Sequence, residues 1–187
     1  MNRLLRTTLL LCACWVLLPV GAQHRDDTVD DLLQHVPMAT VFALKVCGID
    51  NRKPWVETTV TAVAAYALST AVTYTGKQLV GERRPDKSDR RSFPSGHATF
   101  AFAGATMLCH EYGHVSPWVT VGGYGLATLV AADRLRLDRH YLHDVCAGAA
   151  IGIGATELTY YVKRKLLKDR PLDVSFTGST VSLRLYL

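Results

Sequence analysis

An all-α helical bundle closed by a short C-terminal β-hairpin is the fold this sequence predicts, and three observations carry it. Four stretches, residues 56–74, 98–109, 118–132 and 145–156, hold a single charge between them, Glu57, and alternate with loops rich in Lys, Arg and Asp. Small residues recur inside them (Gly122, Gly123, Gly125, Gly152, Gly154), which lets helices approach closely. After residue 172 the pattern changes to strict alternation. Val174 and Phe176, then Val181, Leu183, Leu185 and Leu187, interleave with Ser175, Thr177, Ser182, Arg184 and Tyr186 around Thr177-Gly178-Ser179, the signature of two strands and a turn over residues 173–187.

The elements follow in order. Arg3 and Arg6 precede a mostly apolar run, and Gly21-Ala22 precede Gln23, so residues 1–22 read as a signal peptide and residues 23–187 as one exported domain. An uncleaved anchor helix is the other reading of that segment, and it exports the chain as well. Helical periodicity follows over residues 29–46, interrupted by Pro37. Residues 48–54 form a polar turn. The first uncharged segment leads into a charged loop at residues 77–92. The second and third are joined by a turn at 110–117. A dense charged stretch at 133–144 precedes the fourth, and 160–168 end in basic residues.

Composition narrows the function. The chain has 187 residues, 49% hydrophobic and 20% charged, with a net charge of +5, enough for one domain and one core. Its basic residues gather at 77–91, 134–139 and 163–170 and do not run together as a nucleic-acid surface would. Helices without a charged face lie either inside a bundle or against lipid, so membrane association is expected, although Ala, Gly and Thr make them weak spans. Cys47, Cys109 and Cys146 follow the leader with no metal-type spacing. They are expected as buried thiols without a disulfide.

Three groups of residues carry chemistry. The first is Lys77 and, six residues on, Arg84-Pro85. The second is Pro94-Ser95-Gly96-His97. The third is Arg134, then His140, then Asp144. Taken singly, each has an ordinary explanation as loop charge, turn or helix-face pair. Taken together they suit a phosphoryl group, whose nearly two negative charges and several acceptor oxygens call for converging cations and planar Arg forks. Ser95 and Gly96 precede an apolar helix, where backbone N–H groups point at an anion. A neutral His140 can attack phosphorus if Asp144, at i+4, holds its other ring nitrogen as N–H. His97 can protonate the leaving alkoxide and later activate water. The scheme asks for no metal and no cofactor. His24, His35, His110, His114 and His143 fit none of these positions.

In this order the three groups closely resemble the type 2 phosphatidic acid phosphatase (PAP2) family, whose pattern is Lys-x6-Arg-Pro, Pro-Ser-Gly-His and Ser-Arg-x5-His-x3-Asp. The resemblance runs from about residue 56 to 159. It implies the helical fold shared with class A acid phosphatases and vanadium haloperoxidases. It further implies a metal-independent phosphatase working through a phosphohistidine, with His140, His97 and Asp144 catalytic and Lys77, Arg84, Ser95, Gly96 and Arg134 binding phosphate. The chain departs from the pattern once, with Asp133 where the family has Ser. The expected substrate is a lipid phosphate or pyrophosphate (undecaprenyl pyrophosphate, phosphatidylglycerophosphate, phosphatidic acid or the phosphates of lipid A), hydrolysed on the periplasmic side of a membrane with no obligatory protein partner. A soluble periplasmic acid phosphatase is the alternative, and a vanadium-dependent haloperoxidase a more distant one.

Overall fold

The computed structural model describes residues 31–49 and 53–166, together with the backbone of two strands at 173–177 and 180–184. The predicted signal peptide lies outside these residues. Among the described residues five helices build the bundle: α1 (Val36–Val46), α2 (Trp55–Val80), α3 (Gly96–Tyr112), α4 (Pro117–Arg136) and α5 (Leu142–Leu166). Local chemistry sets their ends. Residues 31–33 are helical and a turn at 34–35 separates them from α1, so the helical run breaks just before Pro37, which stands in the first turn of α1 where its missing N–H is no loss. Pro117 opens α4 in the same way. The αL conformation of Gly81 (φ 57°) ends α2, its N–H bonding the Lys77 carbonyl. Helix α2 thus extends through Val80, and Lys77 lies in its last turn and not in the charged loop. Likewise α4 runs through Arg136, so Arg134 is helical.

Helix α3 is the axis of the bundle. Nearly all of it from Ala98 to Tyr112 is buried against the other four helices. Met38 and Val41 of α1, Ala62 of α2, Met107, Leu108 and Tyr112 of α3 and Tyr160 of α5 make one core cluster, while Ala101 and Ala105 meet Ala127 and Val130 of α4 in another. The α3–α5 seam is closer still. A Cβ on Gly152 would come 2.2 Å from the Thr99 carbonyl oxygen, and one on Gly148 2.4 Å from that of Ser95. Backbone approaches backbone here, and only glycine permits it. Buried threonines replace a charged face without leaving hydroxyls unpaired, as in Thr61 to the Glu57 carbonyl at 2.7 Å and Thr106 to that of Phe102 at 2.8 Å.

The flanks of α2, α4 and α5 carry exposed apolar side chains, among them Val60, Val63, Val72, Val121, Leu129 and Leu158. Among the described residues one helix, Leu142–Lys165, is long and apolar enough to cross a membrane. The three cysteines are free, but Cys47 and Cys146 are exposed and only Cys109 is half-buried. In helices with no polar face, apolar sequence neighbours do not reveal which way a thiol points. Beyond the bundle, β1 (Asp173–Thr177) and β2 (Thr180–Arg184) pair antiparallel, with Phe176 opposite Val181. The side-chain contacts of these strands fall outside the described residues, and the fold that positions the site is the helical bundle.

Candidate active site

The three sequence groups meet at one end of the bundle, where α2 and α4 end and α3 and α5 begin. Backbone bonds tie them together. The Ser95 N–H donates to the Asp144 carbonyl at 3.0 Å, and the Lys77 ammonium donates to the carbonyls of Arg91 and Pro94, each at 2.8 Å. The bond from Ser95 removes its N–H from the anion-binding set that the sequence had offered. The Ser95 hydroxyl caps α3 by accepting from Ala98 N–H at 3.5 Å. That leaves the N–H groups of Gly96 and His97, at the first two helical positions, outside the helix ladder. A Cβ on Gly96 would meet nothing within 4 Å, so the backbone at this position is not crowded by a neighbouring element.

His140 lies on the link between α4 and α5 and is 4% exposed. Its Nδ1 is 3.5 Å from Asp144 Oδ2, within ion-pair range but without a formed hydrogen bond. Asp144 is wholly buried. Its Oδ2 also accepts from the Ser92 hydroxyl at 2.5 Å and from the Tyr141 N–H at 2.8 Å, the latter a cap on the first turn of α5. Burial, then the charges of Arg84 and Lys77, push the His140 imidazolium down to about 4, against the pull of Asp144. Burial and Arg134 bring His97 down to about 4 as well. Burial, followed by Arg84, lowers Lys77 to about 8, so its ammonium persists at neutral pH. Both imidazoles are therefore neutral at pH 7 in the unliganded site.

Each guanidinium stands beside a carboxylate. Arg84 Nε donates to Asp89 Oδ1 at 2.9 Å, and Arg134 Nη2 is 3.7 Å from Asp133 Oδ2, the residue that replaces the family's serine. Arg134 is 3% exposed. Sequence reasoning missed three neighbours. Ser92 anchors Asp144 from 52 residues away. Asp31 bonds His97 Nε2 at 2.9 Å. His143, which had been set aside, stacks on Tyr141 with ring centroids 5.4 Å apart, and its Nε2 lies 2.9 Å from Glu82 Oε2 and 3.2 Å from Asp144 Oδ1. Only the i+1 position of His143 relative to Leu142 and its place beside Asp144 could have hinted at this, since the Glu82 partner is remote in sequence.

A helical bundle presenting these motifs at one end defines the class, and the chain belongs to the PAP2 superfamily, whose family model matches residues 58–168. Over 150 residues it is 35% identical to the lipid A 1-phosphatase of Porphyromonas gingivalis, covering 80% of this chain and 34% of that protein. It is 31% identical to the decaprenylphosphoryl-5-phosphoribose phosphatase of Mycobacterium tuberculosis over 54% of this chain and 57% of that one. The chain thus spans between about a third and somewhat over half of these curated relatives. The crystal structure of Aquifex aeolicus LpxE shares the fold, with a TM-score of 0.55 and 23% identity across 73% of this chain and 88% of that one.

Proposed function

We propose that the protein is a metal-independent phosphatase acting on a lipid phosphate through a phosphohistidine. The observation that carries this reading is the meeting of a buried, neutral His140 beside Asp144 with Lys77, Arg84, Arg134 and the first turn of α3. His140 Nε2 attacks phosphorus, the bond to the leaving oxygen breaks, and that oxygen takes a proton from His97. Water then attacks the phosphohistidine while His97 accepts its proton, and phosphate leaves with His140 restored. Burial is the larger cause that lowers His97 and the arginines the smaller; a dianionic substrate offsets the second and adds an anionic partner that favours the protonated ring. Arg84 and Arg134 stabilise charge on the transferring oxygens.

Exposed apolar side chains close in sequence to the motif residues favour a lipid substrate and would form the rim of the site. Leu79 and Leu142 are 79% and 65% exposed, each two residues from a motif residue, Lys77 and His140, and Val80 and Tyr141 adjoin them. With the 35%-identical lipid A relative, this favours an ester whose phosphate enters the site while its chains lie along the rim. Association with a membrane through the exposed flanks, export by residues 1–22 and a C-terminal hairpin packed on the bundle complete the proposal. A hairpin of two strands is marginal by itself and needs such a surface.

A panel of purified lipid phosphates, with para-nitrophenyl phosphate as the soluble reference, tests it. Turnover is expected to persist in excess EDTA and to be blocked competitively by vanadate. Loss in EDTA restored by magnesium or zinc overturns the metal-free mechanism, and release of the protein from cells by salt alone overturns the membrane reading. Arg134→Lys keeps the charge and loses the fork. Each charged hydrogen bond forfeited is worth roughly 1.5–3 kcal/mol, about 10- to 150-fold in kcat/KM if it acts in the transition state. Unchanged kcat and KM would make Arg134 a structural partner of Asp133 only.

A further inference from the structure

We infer that Asp31 is a positioning residue for His97, so that each of the two histidines assigned to the chemistry has a carboxylate beside it; the inference rests on the phosphatase reading above. His97 Nε2 and Asp31 Oδ1 stand 2.9 Å apart across 66 residues of sequence. An exposed ion pair would ordinarily carry no weight, and the Asp31 side chain is 63% exposed. Its backbone, however, is fixed from three directions. Gln34, 7% exposed, donates its Nε2–H to the Asp31 carbonyl at 2.9 Å. Leu33 packs on the cluster of Ala101, Ala105, Ala127 and Val130. His35 lies between Tyr66 and Phe100, with ring centroids 5.9 and 5.6 Å away. Further along, α1 is pressed onto α3 at Gly104, where a Cβ would come 2.7 Å from Met38 N. The segment holding Asp31 is thus docked on the helix whose first turn holds His97.

The chemistry follows from the acceptor. A carboxylate takes only N–H, so Asp31 selects the tautomer with the proton on Nε2 and leaves Nδ1 as the nitrogen that exchanges a proton with leaving group and water. It also supports the imidazolium as that forms. The charged and titratable groups acting on His97 are Arg134 from α4, Arg84 from the loop after α2, Asp31, and His140 from the link before α5; the two arginines oppose its protonation and Asp31 favours it.

The test uses the full chain carrying Asp31→Asn and Asp31→Ala, alone and combined with His97→Ala. Turnover of an alkyl phosphate, whose leaving group needs the proton, is expected to fall roughly 10-fold or more, short of the 10²- to 10⁴-fold that acid–base catalysis contributes in full, while para-nitrophenyl phosphate changes little. Adding Asp31→Ala to His97→Ala is expected to cost nothing further. Equal losses on both substrates, additive losses in the double variant, or no loss would each overturn the inference. Nitrogen NMR of the His97 ring is the readout independent of turnover. It is expected to show Nε2–H in the parent and a lower pKa in Asp31→Asn, and an Nδ1–H tautomer or an unmoved titration would overturn it. A parent chain inactive on every phosphate ester would instead sink the phosphatase reading, and the NMR result would still decide whether Asp31 holds His97.

Discussion

Replacing His140 with alanine is expected to lower turnover of every phosphate ester by at least about 10³-fold, the scale on which loss of a catalytic nucleophile acts. The cations and the N–H groups at the start of α3 remain, so vanadate or phosphate binding should survive in that variant within a few-fold. The same residue predicts the acid limb of the parent enzyme. Because burial and the charges of Arg84 and Lys77 hold the imidazolium at about 4, His140 stays unprotonated well below the ordinary histidine range. The rise of kcat/KM with pH that reports its deprotonation should therefore centre near pH 4, and not near the unperturbed value of about 6.5. Retention of more than a few per cent of the rate in His140→Ala would remove it from the nucleophile's role. A limb near the unperturbed value would show that the site is wetter and less cationic than its geometry implies.

The largest loss of stability is expected from Gly152→Ala. The added Cβ would sit 2.2 Å from the Thr99 carbonyl oxygen and 2.8 Å from the Ala103 nitrogen. Neither atom belongs to a side chain that could rotate away, so α3 and α5 must separate. Overpacking commonly costs about 1–3 kcal/mol, and backbone obstruction places this change at the upper end or beyond it. For a chain of this size, about 3 kcal/mol corresponds to roughly 6–12 °C in Tm. Gly154→Ala is the internal control, because a Cβ there meets nothing within 4 Å. It should be neutral or stabilise by up to about 1 kcal/mol through helix propensity. Melting curves of the two variants side by side decide the matter, and a Gly152→Ala protein as stable as the parent would mean that the seam is looser than described.

The motif residues were legible because their chemistry constrains identity: a nucleophilic imidazole, an Arg fork and a helix-opening Ser-Gly-His have few substitutes. The bundle was legible from the alternation of uncharged segments with charged loops. Placement within elements was less so. Lys77 looked like a loop residue because the sequence marks a change in charge there, whereas the helix ends only where Gly81 adopts positive φ. The partners that arrange the site were silent. Ser92 is one serine in a charged loop, Asp31 is one of several acidic residues between 26 and 31, and Glu82 meets His143 across 61 positions, so no period or spacing announces them. The Ser95 N–H looked available because a helix N-terminus ordinarily leaves it so, and only the fold revealed the Asp144 carbonyl that takes it.

For the phosphatase proposed above, the carboxylates that stand beside the site's cations have a consequence for product release. With Asp89 on Arg84 and Asp133 near Arg134, the cradle's positive charge is partly offset before any ligand arrives. An incoming anion gains less net attraction than bare cations would give it, and the same holds for the inorganic phosphate left behind by hydrolysis. Such a site trades grip for release. Inhibition by free phosphate should then be weak, and it should tighten when Asp133 is restored to the serine of the family pattern.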